Sequence, residues 1–322
     1  MSDKDTGAAA AEMTFSHVPV MLNEVIGALN IKPDGIYVDG TAGGAGHSSA
    51  IAARLETGKL IAIDQDWDAV KTASERLSVF GDRAQVVHSN FCEMKRVCAE
   101  LGIERIDGFL LDLGVSSYQL DTPERGFSYL ADAPLSMKMD ATSSFSAYDV
   151  VNGYDKEELC RILWEYGEEK FAKRIADGIV RAREKAPVES TLQLAAIIKD
   201  ALPDGGKSQN HHPCMRTFQA IRIEVNREMD VIPPALRDAV ALLGQGGRGA
   251  VITFHSVEDR TVKEAFADLA KGCTCPRDFP VCVCGRKPLI SFPNRKPLIP
   301  SPAEAAANPR SHSAKLRVVE KL

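Results

Sequence analysis

The chain has 322 residues, of which 44% are hydrophobic and 6% aromatic, and a formal net charge of −5. That is enough apolar material for one large α/β core or two modest ones, so a disordered chain is excluded. A membrane span needs ~20 consecutive apolar residues and none is present, while the acidic-leaning start MSDKDTGAAAAEM lacks the basic and apolar parts of a signal peptide. A cytoplasmic protein without membrane partners is expected, with its eight cysteines kept as thiols.

Residues 1–16 read as a disordered leader, and MLNEVIGAL (21–29) has helical spacing. The short apolar runs IYVD (36–39), KLIAID (59–64), AQVVHSN (84–90) and DGFLLDLG (107–114) predict strands. Helical patterns fall between them over 46–55, 67–79 and 92–101. This alternation predicts an α/β fold with a doubly wound, mainly parallel sheet, whose ligand site lies beyond the carboxyl ends of the strands at the switch point. From about 119 to 225 the strand signals fade, and DKEELCRILWEYG, EEKFAKRIADGIVRAREKA and TLQLAAIIKDAL predict an all-helical insert. NREMDVIPPALRDAVALL (226–243) follows as a helix whose paired prolines predict a bend or two segments, and GRGAVITFHS (247–256) returns to strand. The expected organisation is one α/β domain, 17–118 with 226–322, interrupted by a helical domain, 119–225.

VDGTAGGAGHSSAIAARL (38–55) gathers Gly40, Gly43, Gly44 and Gly46 between the first strand and a helix. Such a corner lets backbone approach a ligand and offers helix-start amides to an anionic group. Asp64 ends the second strand 20 residues beyond Gly44, the spacing at which a carboxylate meets ribose hydroxyls. A dinucleotide fits poorly: no third glycine follows Gly44-Ala-Gly46, and Asp39 at the strand tip would repel a pyrophosphate. A cationic nucleoside such as S-adenosylmethionine satisfies every requirement, with Asp39 either at its methionyl end, behind the contact surface, or merely ending the strand. Phe91 is placed either to pack on the adenine or in the core. The loop DLGVSSYQL (112–120) brings Asp112, Ser116, Ser117 and Gln119 to where a methyl acceptor would sit.

CTCPRDFPVCVCG (273–285) places Cys273, Cys275, Cys282 and Cys284 as two Cys-x-Cys pairs. Four thiols could hold a structural zinc, but this spacing is tighter than the usual two to four residues, which favours a reduced loop. Residues 286–317 hold seven cations (Arg286, Lys287, Arg295, Lys296, Arg310, Lys315, Arg317) against Glu304 alone, either a solvated tail or an RNA-facing patch.

HVPVM, DGTAGGAGHS, DLGVSSYQL, ERGFS, PLSMKMD, YGEEKFAKRIA, TFQAIRIEVNRE, FHSVEDR and NPRSHSAKLR resemble the bacterial ribosomal RNA small-subunit methyltransferase H family, also called MraW, from about residue 17 to the end. The resemblance implies S-adenosylmethionine-dependent methylation of the exocyclic N4 of a cytidine in the decoding region of 16S rRNA, within the small ribosomal subunit. It also implies a Rossmann-like methyltransferase domain with a helical substrate-recognition insert. Its cofactor positions fall on Ala45, Gly46, His47, Asp64, Phe91, Asp112 and Gln119; position 45 is Ala where the family pattern has Gly. Many amino-methyltransferases carry an Asp/Asn-Pro-Pro-aromatic loop where this chain reads Asp112-Leu-Gly-Val-Ser, which leaves the catalytic assignment open; the groups expected are Asp112, Ser116 and Ser117 with His255 or Ser256, or else Asp112 acts through the cofactor alone. A cytosine amino group is hidden inside a helix, so the nucleotide should be single-stranded or flipped. Arg125, Phe127, Lys138, Arg216, Phe218, Gln219 and Arg222 are candidate RNA contacts, with Phe127 and Phe218 equally placed for the core and the arginines for pairing with the insert's glutamates. A non-catalytic RNA-binding assembly factor and a methyltransferase for another substrate are the alternatives, and the oligomeric state, a homodimer included, stays open.

Overall fold

The computed structural model describes residues 19–207, 211–275, 281 and 283–322; the expected leader lies outside them. β1 (Ile36–Asp39), β2 (Lys59–Asp64), β3 (Ala84–His88), β4 (Ile106–Asp112), β5 (Leu243–Thr253), β6 (Ile290–Ser291) and β7 (Lys315–Lys321) form one sheet ordered β3-β2-β1-β4-β5-β7-β6. All pairings from β3 to β5 are parallel, while β7 runs antiparallel to β5 and to β6. The mixed α/β, doubly wound architecture is thus present, with α1 (Leu22–Leu29), α2 (Gly46–Ala52), α3 (Trp67–Leu77) and α4 (Met94–Glu100) interleaved among the first four strands.

Period-two alternation explains why these strands read as unbroken apolar runs. Tyr37, Leu60, Leu110 and Ile252 face one layer with Val25, Ile51 and Ala73, whereas Val38, Ile61, Phe109 and Val251 face the other with Val97, Leu236 and Phe266. A sheet covered on both faces needs apolar residues at odd and even positions alike.

Between β4 and β5 come α5 (Ser117–Asp121), α6 (Ala147–Gly153), α7 (Lys156–Glu165), α8 (Ala172–Arg183), α9 (Thr191–Ala201), α10 (Met215–Asn226) and α11 (Glu228–Leu242). A third apolar core, including Leu159, Ile175, Leu194 and Ile221, is built from buried residues 127 to 225. Periodicity overestimates the helix expected over 168–186, which is α8 alone, because Glu168 takes a left-handed φ of 48° between α7 and α8. Arg227 does the same at φ 52° between α10 and α11, and α11 then carries both Pro233 and Pro234 in one helix. α12 (Ser256–Ala270) follows β5, and α13 (Pro302–Ala307) precedes β7. No helix among the described residues is long and apolar enough to cross a membrane.

Candidate functional site

A cavity of about 360 Å³ opens beyond the carboxyl ends of β1, β2 and β4, where the strand order reverses. The glycine loop makes one wall. Gly43 has φ 48°, and its N–H donates to Asp64 Oδ2 at 2.8 Å, fixing the loop to the tip of β2. Arg76 holds the same loop from α3 through the Gly44 carbonyl at 2.6 Å. A Cβ on Gly46 would come 2.3 Å from Pro19 Cγ, so only glycine lets the start of α2 approach that segment of the cavity wall.

The cavity is acidic, lined by Asp64, Asp66, Asp68, Asp112, Glu228 and Glu258 against the cations Arg76, Arg222 and Arg310. Asp112 is its most perturbed group. Its side chain is 26% exposed, towards the cavity, yet Oδ1 is buried without a hydrogen-bond partner. Burial, with the charges of Asp39 and Glu258 beside it, pushes its carboxyl up to about 8. Asp64 is pushed up to about 6, mainly by burial, with the amides of Asp66 and Gly43 opposing the rise. Asp39 lies behind the wall, 1% exposed, and is also raised by burial. It accepts from Ser48 Oγ at 2.6 Å and from the Thr41 amide, while Thr41 Oγ1 accepts the Asp112 N–H at 2.6 Å, which ties the tips of β1 and β4 together.

His47 Nε2 lies 3.0 Å from the Val20 carbonyl, which can only accept, so that nitrogen carries the proton and Nδ1 faces Asp112 Oδ2 at 3.7 Å. Ser116 and Gln119 close a capping box on α5: Ser116 Oγ accepts the Gln119 N–H, and Gln119 Oε1 accepts the Ser116 N–H. Gln119 Nε2 donates to Asp66 Oδ2 at 2.8 Å. Asp66 also pairs with Arg125 at 2.8 Å, linking the insert to the start of α3.

The opposite wall joins insert and sheet through buried charge. Arg222 on α10 grips Glu228 on α11 with two bonds of 2.8 and 2.9 Å and lies 3.6 Å from Glu258 on α12. His255 Nε2 stands 2.9 Å from the same Glu258 oxygen. Burial alone would raise Glu258, but His255, Arg222 and the Phe254 amide outweigh it and hold the carboxylate below its ordinary range. Asn226 completes this wall, accepting the Met139 N–H at 2.7 Å and donating to Met137 O at 2.8 Å.

Among the residues expected from the sequence, Gly46, His47, Asp64, Phe91, Asp112, Ser116, Ser117, Gln119 and Arg222 line this cavity. Ala45 does not; it is fully buried with φ 59°, and its methyl packs in the core. His255 and Ser256 also miss this wall: His255 caps α12 behind Glu258, and Ser256 donates to Glu168 of the insert. Most of the candidate RNA contacts take their structural alternative. Phe127 and Phe218, 5% and 3% exposed, belong to the insert core and present no stacking face. Arg125 is held by Asp66 and two carbonyls, Lys138 by the carbonyls of Ala141 and Ser143, Gln219 by Tyr166 O and Arg216 by Glu168 O, so these polar groups tie backbone together. Asp66, Asn226, Glu228 and Glu258 were not legible as site residues; only their contacts across elements reveal them.

A second cleft shares Phe254 and Ser313 with the main cavity and adds Ile299, His312 and Lys315. In the basic tail, Arg286 pairs with Asp268, Arg310 with Asp121, and Lys315 and Arg317 with Asp259. Lys287, Arg295 and Lys296 are exposed and make no ion pair among the described residues. Of the cysteines, Cys273, Cys275 and Cys284 come together, and Cys282 lies outside the described residues.

Residues 14–322 match the model of the MraW methylase family. The ribosomal RNA small subunit methyltransferase H of Geobacter sp. (strain M21) is 53% identical over 309 residues, 96% of this chain and 99% of its own length. The protein of the same name from Brevibacillus brevis is 53% identical over 311 residues, again 96% of this chain and 99% of its own. That of Clostridioides difficile is 52% identical over 311 residues, 96% of this chain and 100% of its own. With the cavity at the strand switch point and a match that runs nearly from end to end, the chain belongs to the MraW methylase family.

Proposed function

We propose that this protein methylates the exocyclic N4 of a cytidine in the decoding region of 16S rRNA, in the cytoplasm and within the small ribosomal subunit, using S-adenosylmethionine. The relatives' shared name supports rRNA of the small subunit as the substrate. The observation that carries the chemistry is the acidic cavity holding Asp112, whose buried Oδ1 has no hydrogen-bond partner among the described residues. A surplus of carboxylates repels a pyrophosphate and attracts a sulfonium, and the orphaned oxygen is an acceptor waiting for a donor.

When bound, S-adenosylmethionine supplies a methyl group on a cationic sulfur. Asp64 would take the ribose hydroxyls, Phe91 would pack on the adenine, and Gly46, His47 and Gln119 would shape the remaining contacts, while Ala45 supports the loop from the core. Ser116 acts by capping α5, and Ser117 faces the acceptor. In its ionised form, which a sulfonium beside it would favour, Asp112 Oδ1 would accept an N–H of the cytosine amine, directing its lone pair along the line of transfer, and would take the amine proton as nitrogen gains the methyl group. Glu258, held ionised by His255 and Arg222, keeps negative charge behind Asp112. The base enters unstacked, and the strand carrying it runs into the second cleft towards the segment bearing Phe292, Arg295 and Lys296.

The test is methylation of small subunits from a strain lacking the protein, followed by nucleoside mass spectrometry of the digested 16S rRNA. N4-methylated cytidine is expected. A methyl on carbon 5, on a ribose or on protein would refute the assignment.

A further inference from the structure

We infer that Cys273, Cys275 and Cys284 form a binding site for a borderline-soft divalent cation, zinc above all, outside the methyl-transfer cavity. Their three sulfurs lie within 4.8 Å of one another. Cys273 Sγ and Cys284 Sγ are 3.7 Å apart. In a tetrahedral zinc site with Zn–S bonds of ~2.3 Å, neighbouring sulfurs are separated by about 3.8 Å, so the observed spacing is that of a tetrahedron edge. A disulfide would need ~2.05 Å, and this separation lies far from it.

The backbone around the sulfurs is arranged for thiolates. The Thr274 N–H points at Cys284 Sγ and the Val283 N–H at Cys275 Sγ, each at 3.4 Å. Each donor comes from the opposite arm of the loop, so each Cys-x-Cys pair lends an amide to the other. Amide donors beside a sulfur favour its ionised form and fix its direction, as the outer partners of metal ligands do.

The described part of the loop stands outside the apolar cores. Val281, Val283, Cys284, Gly285 and Lys287 are exposed, and no apolar core includes residues 271–289 among those described. Its base is fastened to the end of α12, where Leu289 N–H donates to Leu269 O at 2.9 Å and Arg286 pairs with Asp268. Between those anchors no side chain among the described residues is buried, and a cation bound by thiolates would serve as a core. Thiolate ligands select zinc over magnesium or calcium, whose hard ions take oxygen. The one-residue spacing within each pair, unusual for a zinc site, is accommodated here because Cys273 and Cys275 converge on Cys284 from the other arm.

The experiment uses the full chain, purified with a thiol reductant and without chelator after growth with added zinc. Elemental analysis is expected to find roughly one zinc per chain, and Cys273→Ser/Cys275→Ser/Cys284→Ser at least about tenfold less. Replacing zinc by cobalt should give the intense thiolate-to-cobalt absorption in the wild type and not in the variant. Amide exchange read by mass spectrometry should show residues 271–289 losing protection in wild-type protein when the metal is stripped, a readout that does not depend on whether the variant folds. Wild-type protein that stays metal-free after zinc exposure with its thiols titrated as reduced would overturn the assignment. So would zinc retained undiminished by the triple variant, or a disulfide between these cysteines in protein kept under reductant.

Discussion

Replacing Asp112 with Asn tests the electrostatic reading of the cavity through stability, independently of any substrate. The carboxyl titrates near 8 in the folded protein and near 3.9 in an unfolded chain, so between those values the folded state binds the extra proton. Stability contributed by this group is therefore complete below about pH 4 and lost as pH rises towards 8, with a slope of up to about 1.4 kcal/mol per pH unit. From pH 5 to pH 8 that amounts to about 3–4 kcal/mol, a ceiling because part of the side chain meets water in the cavity. Asn has the same shape and no titrating proton, so Asp112→Asn removes this slope and leaves those of Asp64 and Asp39 in place. Urea unfolding of both proteins at half-unit pH steps gives the difference directly, and the variant should gain on the wild type as pH rises. If the two curves run parallel within about 0.5 kcal/mol from pH 5 to pH 8, the carboxyl is not held protonated and the argument fails.

The same proton should appear in binding: a cation beside Asp112 favours the carboxylate, so adenosylmethionine uptake releases a proton below pH 8 and tightens with rising pH, which calorimetry in buffers of different ionisation enthalpy can measure. Gly46→Ala puts a Cβ 2.3 Å from Pro19 Cγ and should weaken adenosylhomocysteine by about tenfold or more, ~1.4 kcal/mol, without changing the circular dichroism spectrum. Arg222→Met strips Glu228 of its two guanidinium bonds and leaves Glu258 to His255 and the Phe254 amide, and should destabilise by about 3–5 kcal/mol in urea, against ~0–1 for Lys95→Met in an exposed pair. Neutralising Lys287, Arg295 and Lys296 together should flatten the slope of log affinity for single-stranded 16S fragments against log salt by about 2; an unchanged slope would place the RNA elsewhere.

The first four strands were legible because burial on both faces writes itself as short apolar runs, and the glycine loop because a strand-to-helix corner that meets a ligand needs residues without side chains. β7 escaped notice: KLRVVEK interleaves charge with Leu316, Val318 and Val319, as an antiparallel strand near the sheet margin can. The polar run after β4 looked like chemistry, yet Ser116 and Gln119 are engaged in a capping box. Phe127 and Phe218 take the core alternative of the two the sequence left open, because an aromatic beside arginine looks alike in sequence whether its ring stacks on a base or fills a core. Glu258 could not be found at all: its place at the cavity depends on Arg222, 36 residues earlier, and on how α10 meets α12.

β4 and β5 are neighbours in the sheet, but the 130 residues between Asp112 and Leu243 separate them in the chain. A ribosome adding ~5–20 residues per second takes roughly 7–26 s to cross that interval. During that time the nascent protein carries a parallel half-sheet with one side of its fourth strand unpaired and apolar. The helical insert, emerging next, is the first material available to shield it, and in the finished protein it also forms a wall of the cavity.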